Sequence, residues 1–265
     1  MGQKKGESGM SRDMFELNGR VAIVTGGNGG IGQAIATALA EAGATVVIAA
    51  RNEEKTAKAV EKIRKTGPRC IGVRCDVTSE EDIRNTVQKA VQDFGRLDIL
   101  VNDAGTSAAA PPQSITEEQW DAVLATNLKA AFLFSRTAYP AFLKAGGGKV
   151  INIGSMMAIF GDKTSAVYSV SKGGVIQLTK SLAIAWAPDN IQVNAICPGW
   201  FLTDLTAPFK EDAESYQTIV RRTPAGRFGE LHELAGAAVF LSSAASSFVT
   251  GQSIVVDGGY SINGL

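Results

Sequence analysis

The 265-residue chain carries 26 basic and 26 acidic side chains and a single histidine, so its formal charge is zero near neutrality. Such a balance gives no bulk attraction to nucleic acid or anionic membrane, and any basic site has to be local. Cys70, Cys75 and Cys197 lack CxxC spacing, no secretory signal pattern is present, and no run approaches the roughly 20 apolar residues that span a bilayer. Free thiols, no zinc site, no membrane partner and a soluble, cytoplasmic protein are therefore expected.

Residues 1–13 are polar and without period, and read as a disordered extension ahead of one domain over residues 14–265. The β-branched run from Arg20 to Thr25 predicts a buried strand, followed at once by the glycine-rich stretch from Gly26 to Gly32. Apolar positions at helical spacing from Ala34 to Ala42 stop at Gly43, and Thr45 to Ala49 is the next strand. This is a βαβ unit with its glycines in the first turn. A helix from about Glu53 to Lys65 is broken at Gly67-Pro68, and a strand from Cys70 to Arg74 runs on to Asp76. Ser79 caps a helix through about Phe94, with Glu81 and Asp82 in its first turn. Leu97 to Val101 is a strand, and Glu117 to about Phe142 predicts one long, largely apolar helix. Lys149 to Ile153 is a strand, the helix bearing Tyr168 runs to about Ala187, and Gln192 to Ile196 is a strand. The polar stretch from Thr203 to Arg222 has no clean period and reads as a mobile lid. Glu230 to Leu241 is a helix and Ser253 to Val256 a last strand.

No two of these strands lie close enough for a hairpin, so crossovers must join them. The fold class is α/β, a doubly wound, mostly parallel seven-stranded sheet with helices on both faces. Ligands of such sheets bind beyond the carboxyl ends of the strands. The glycine turn, Asp76, the residues after Val101, Ser155 and Pro198 all fall there.

The strand, glycine turn and helix that run through Thr25, Gly26, Asn28, Gly30, Ile31 and Gly32 suit a pyrophosphate, because glycines admit a close approach and the helix start offers free N–H groups. The next strand ends Ala49-Ala50-Arg51-Asn52, with no carboxylate before Glu53 to hold a ribose 2′-hydroxyl. Arg51 suits a 2′-phosphate, so NADP(H) is favoured and NAD(H) stays open. Tyr168 and Lys172 stand at i and i+4 and share a helix face. A phenol next to an ammonium can exchange protons near neutrality, although the spacing alone equally fits a plain helix face. His232 sits at a helix start and reads as a surface residue.

Thr25 to Gly32, Asn102-Asp103-Ala104-Gly105, Asn127, Ser155, Tyr168, Lys172 and Pro198-Gly199 occur in an order and spacing that resemble the short-chain dehydrogenase/reductases, over about Leu17 to Gly259. Gly154 to Met157, Pro198-Gly199-Trp200, Arg222 to Arg227 and Asp257 to Tyr260 bring it closest to the sugar-acid members, gluconate 5-dehydrogenases and 2-deoxygluconate 3-dehydrogenases. The resemblance implies a Rossmann fold, a homotetramer and a small carbonyl or alcohol substrate. It implies Tyr168 as the proton-transfer group, Ser155 on the carbonyl oxygen, Lys172 on Tyr168 and the nicotinamide ribose, and Asn127 holding a relay water. It further implies Asp76 and the adjacent Val77 at the adenine, Asn52 beside Arg51, and Asn102, Ala104 and Gly105 under the adenosine ribose. Pro198, Gly199 and Thr203 would lie by the carboxamide.

Asp103 departs from the family, which usually has a second asparagine there. The substitution loses an amide donor and puts a charge near the sheet edge, which bears on local hydrogen bonding and stability rather than on the proton relay. Sugar-acid relatives often place a cation just after this turn, but Thr106 to Pro111 has none, which leaves Lys163 or Lys210 for a substrate carboxylate. Met156, Met157, Phe160, Trp200 and Phe201 suit an apolar wall or plain core. A 3-oxoacyl-carrier-protein reductase with a basic docking patch at Lys129 and Arg136 is the alternative enzyme. A non-catalytic dinucleotide sensor is the alternative of another class.

Overall fold

The computed structural model describes residues 14–67, 69–204 and 206–264; the predicted extension and Pro68 lie outside the described residues. The strands are β1 (Val21–Thr25), β2 (Thr45–Ala50), β3 (Arg69–Arg74), β4 (Ile99–Asn102), β5 (Gly148–Ile153), β6 (Ile191–Pro198) and β7 (Ser253–Val256). They form one sheet in the order β3-β2-β1-β4-β5-β6-β7, every pair parallel. The predicted doubly wound, seven-stranded Rossmann-like architecture is what forms.

The helices of the described residues are α1 (Gly30–Glu41), α2 (Glu53–Ile63), α3 (Glu80–Phe94), α4 (Glu117–Leu124), α5 (Ala130–Ala145), α6 (Ala166–Trp186), α7 (Ala207–Glu211), α8 (Ala213–Arg222) and α9 (Leu231–Ser242). Strand alternation divides the core between two faces. In β1, Ala22 and Val24 pack with Ile35 and Leu39 of α1, Ile63 of α2 and Leu234 of α9. Val21 and Ile23 pack on the other side with Ile83 of α3, Phe134 and Phe142 of α5 and Leu182 of α6. Every β1 residue is buried, which is why it reads as an unbroken apolar run.

Register fixes what meets at the carboxyl edge. Thr25 is level with Ala49 on one side and Asn102 on the other, and Asn102 is level with Asn152. The glycine turn, Arg51, the turn from Asp103 to Gly105, and Ser155 therefore leave the sheet side by side. The order reverses between β1 and β4, so the edge there is a topological switch point.

Two predicted stretches differ. The long helix from Glu117 is interrupted by a π-turn, Ala125–Lys129, between α4 and α5. Apolar residues continue on both sides of this one-residue bulge, so the sequence period runs through it unbroken. The predicted lid contains α7 and α8, with Asp212 accepting from Ser215 N at 3.0 Å as the cap of α8. Ile219 alone is buried in α8. All three cysteines are buried free thiols. Burial pushes both Cys70 and Cys75 up to about 11, which makes them poor nucleophiles. No helix of the described residues is long and apolar enough to cross a membrane.

Candidate active site

A cleft of about 820 Å³ opens along the carboxyl edge of the sheet, a size at the upper end of small-molecule sites. Of the predicted residues, it is lined by Gly26, Asn28, Gly30, Ile31, Arg51, Asn52, Asp76, Val77, Ala104, Gly105, Ser155, Tyr168, Lys172, Pro198, Gly199 and Thr203. These come from six different strand ends and join one surface because the strands are parallel and in register.

The glycine turn opens α1 without a side-chain cap. Asn52, Ser79 and Thr116 cap α2, α3 and α4 through side-chain oxygens, and each of those helices has acidic residues in its first turn. The cap of α1 is Gly29, with no side-chain cap and no acidic residue in the first turn. Its first amides and the positive end of its dipole thus face the cleft with no cap from the helix's own residues, as an anion would require. Gly26 and Gly30 take φ of +69° and +50°, which L side chains rarely adopt. Arg51 is exposed on the cleft wall and makes no ion pair among the described residues. Asp76 accepts from Thr78 N at 2.9 Å and from Thr78 Oγ1 at 2.7 Å. Those two bonds hold its carboxyl below the usual carboxylate range.

At the other end, Tyr168 and Lys172 stand one turn apart on α6, and the ammonium lies 5.6 Å from the phenol ring centroid. Lys172 is buried and donates to Ile153 O at 2.7 Å, which pins it to the end of β5. Ser155 follows two residues later, with Oγ accepting from Met157 N at 3.1 Å. Asn127 sits inside the π-turn, buried, with Oδ1 accepting from Thr106 N at 2.8 Å. Its Nδ2 donates to Thr106 O at 2.9 Å and to Ser171 Oγ at 3.0 Å. The bulge thus turns an amide inward to tie the turn after β4 to α6, one residue before Lys172.

Four predicted residues lie behind the cleft wall. Asn127 acts through the bonds just described. Thr25 Oγ1 accepts from the Asp103 and Ala104 amides at 3.0 and 3.1 Å, and so holds the turn after β4. Gly32 is packed so closely that a side chain would strike Gly26 O at 2.6 Å. Asn102 is buried, and its side chain clamps the sheet. Its amide donates to Asn152 Oδ1 at 2.8 Å and to Ser135 Oγ at 3.2 Å, because register points its side chain at α5.

Lys163 and Lys210 are exposed, and neither lines the cleft. His232 is on the surface, 3.3 Å from Glu230. Met156, Met157, Trp200 and Phe201 line the cleft, whereas Phe160 packs behind them in a cluster with Tyr260 and Phe228. The sequence reading missed Lys55 and Asp204. Lys55 Nζ reaches past Gly29 to Asp204 at 2.8 Å, bridging the cleft mouth from α2 to the stretch after Trp200. A lysine one helical turn beyond Arg51 was the available signal.

Comparison with known proteins accords with this geometry. The family model described as "Enoyl-(Acyl carrier protein) reductase" matches residues 26–261. The chain is 38% identical to gluconate 5-dehydrogenase of Gluconobacter oxydans over 251 residues, covering 95% of this chain and 98% of that one. It is 40% identical to 2-dehydro-3-deoxy-D-gluconate 5-dehydrogenase of Dickeya dadantii, covering 95% and 99%. The crystal structure of a gluconate 5-dehydrogenase from Burkholderia cenocepacia in complex with NADP and tartrate superposes with a TM-score of 0.91 at 40% identity, covering 95% and 99%. The chain belongs to the short-chain dehydrogenase/reductase family. As a member it is an oxidoreductase acting on CH–OH groups.

Proposed function

We propose that this short-chain dehydrogenase/reductase interconverts a ketone and a secondary alcohol with NADP(H), and that Tyr168 is its general acid/base. The observation that carries the reading is one cleft with Tyr168, Lys172 and Ser155 at one end and an unblocked helix start with an unpaired arginine at the other. The uncapped α1 amides fit a pyrophosphate and Arg51 fits a 2′-phosphate, in keeping with the relative crystallised with NADP.

When bound, the cofactor supplies or accepts the hydride. Tyr168 exchanges the proton with the substrate oxygen. Ser155 Oγ accepts from Met157 N, so its own proton is free to donate to that oxygen as charge develops. Lys172 spends one of its three N–H donors on Ile153 O, and its others serve the ribose hydroxyls and the phenolate that proton transfer leaves. Asn127 ties Thr106 to Ser171 and holds the water that links Lys172 to solvent. Asp76 and Val77 contact the adenine, and Thr203 the carboxamide.

The substrate is a sugar, polyol or other small carbonyl compound. Relatives bear sugar-acid names, but the stretch after Gly105 that lines the substrate end is uncharged, so a neutral keto-sugar or polyol suits it better than a carboxylate. The carrier-protein reading weakens because Arg136 is already paired with Glu80 at 2.8 Å. A panel of ketones and polyols, neutral and acidic, run with NADPH and NADH tests the reading. Arg51→Ala is expected to weaken NADPH about 10- to 100-fold, the range for a lost charge-assisted bond, and to change NADH less than about threefold. Equal losses for both cofactors would remove the 2′-phosphate assignment.

A homotetramer built on α5, α6 and the C-terminal segment completes the proposal. Phe132, Val170, Ile184 and Ile262 are large apolar side chains exposed on these elements, more than a solitary subunit usually leaves in contact with water. Light scattering at micromolar concentration is expected to give about four times the 27.7 kDa chain mass. A monomer there would sink this part.

A further inference from the structure

Asp103 lies beneath the glycine turn, where no assigned role reaches it. Its backbone leaves β4 level with the turn and is held there by Thr25 Oγ1. The residue is half-buried and lines the cleft, and its Oδ2 lies among the glycines. A methyl group on Gly32 would overlap Asp103 Oδ2, and one on Gly26 would stand 3.2 Å from it. The Gly32 amide faces this carboxyl and favours its charged form. Gly32 lies in the first turn of α1, so the carboxyl sits against the same helix start that faces the pyrophosphate site.

A charge there opposes an anionic ligand across a thin layer of backbone. From α6, the Lys172 ammonium is the charged group that bears on the carboxyl. The end of β1 presents the Thr25 hydroxyl, and the glycine turn and α1 present amides. The hydroxyl and the amides carry no charge that titrates near neutrality. Desolvation pushes the carboxyl up to about 7, against the smaller opposing effects of Lys172 and the Gly32 amide.

We propose that Asp103 is a positioning residue for the dinucleotide turn whose charge state sets cofactor affinity, the neutral carboxyl favouring the bound anion and the carboxylate weakening it. The inference rests on the NADP(H) reading above. Binding of the cofactor then takes up a proton, and affinity falls as pH rises through neutrality. An aspartate at this place makes the site pH-responsive where an asparagine would leave it indifferent.

The test is the dissociation constant of NADPH by fluorescence titration between pH 6 and pH 8.5, for the wild type, Asp103→Asn and Asp103→Ser. The ligand's own ionisation is common to all three and cancels in the comparison. For one pK unit of coupling, the wild type is expected to lose about tenfold more affinity across this range than either variant. Isothermal titration in two buffers of different ionisation enthalpy should show greater proton uptake at pH 7 by the wild type than by a folded variant. Parallel pH profiles, with or without a uniform loss of affinity, would overturn the proposal and leave a packing role. If the wild type bound no dinucleotide at any pH, the cofactor reading itself would fail, which is a separate result.

Discussion

Tyr168→Phe is expected to cut turnover about 10³-fold while the dissociation constant for NADPH moves by less than about threefold. The phenylalanine keeps the ring that packs on α6 beneath the Lys172 ammonium, and only the exchangeable proton is lost. General acid/base groups contribute about 10²- to 10⁴-fold, and of the hydroxyls that line the cleft Tyr168 is the one a helical turn from the Lys172 ammonium. Lys172→Met should look different. It leaves Ile153 O, a buried carbonyl, without its 2.7 Å partner, so both cofactor affinity and stability should fall, the latter by about 1–3 kcal/mol. Steady-state kinetics, a cofactor titration and a melting curve on the two variants separate the roles. Turnover that survives in Tyr168→Phe would sink the proton-transfer assignment.

The second large effect concerns Asp103→Asn and stability. In the folded chain the carboxyl is pushed up to about 7 from an ordinary 3.8. The folded state therefore holds a proton that the unfolded state has released between these two values. Stability falls as pH rises from about 4 to about 7, and the full penalty applies above that. Each pK unit corresponds to about 1.36 kcal/mol, and with allowance for relaxation around the ion the penalty is about 2–4 kcal/mol. An asparagine keeps the shape and an oxygen for the Gly32 amide without the charge. The variant should thus melt about 5–10 °C higher than the wild type at pH 8, and the gap should close towards pH 5. A gap that stays constant with pH would mean that desolvation of the charge is not its cause.

Much of the site is legible in the chain itself. Helical geometry places Tyr168 and Lys172 on one face whatever surrounds them, since an i, i+4 relation is internal to the element. The glycine turn announced itself because positive φ at Gly26 and Gly30 needs residues without a Cβ. Ser79 and the acidic turn that follows predicted the start of α3 for the same local reason. Alternation of strands and helices, with no hairpin spacing, was enough to require a parallel doubly wound sheet and so to gather the strand ends on one edge.

What stayed hidden depends on neighbours distant in sequence. Asn127 could be named but not explained, because the π-turn that points it at Thr106 and Ser171 leaves the apolar period intact. Whether Asn102 faced the cleft or α5 was a question of register, since one residue of slip exchanges the two sides of a strand. The Lys55 bridge to Asp204 joins residues 149 positions apart, and no local pattern foretells such a pair. Asp103 marks the boundary most clearly. The chain alone revealed an acid in an asparagine's place, but an acid's charge has no consequence until the fold removes its water. Burial against the glycine turn is a property of the packed neighbourhood, and it is that neighbourhood which turns an ordinary carboxylate into a group that titrates near neutrality.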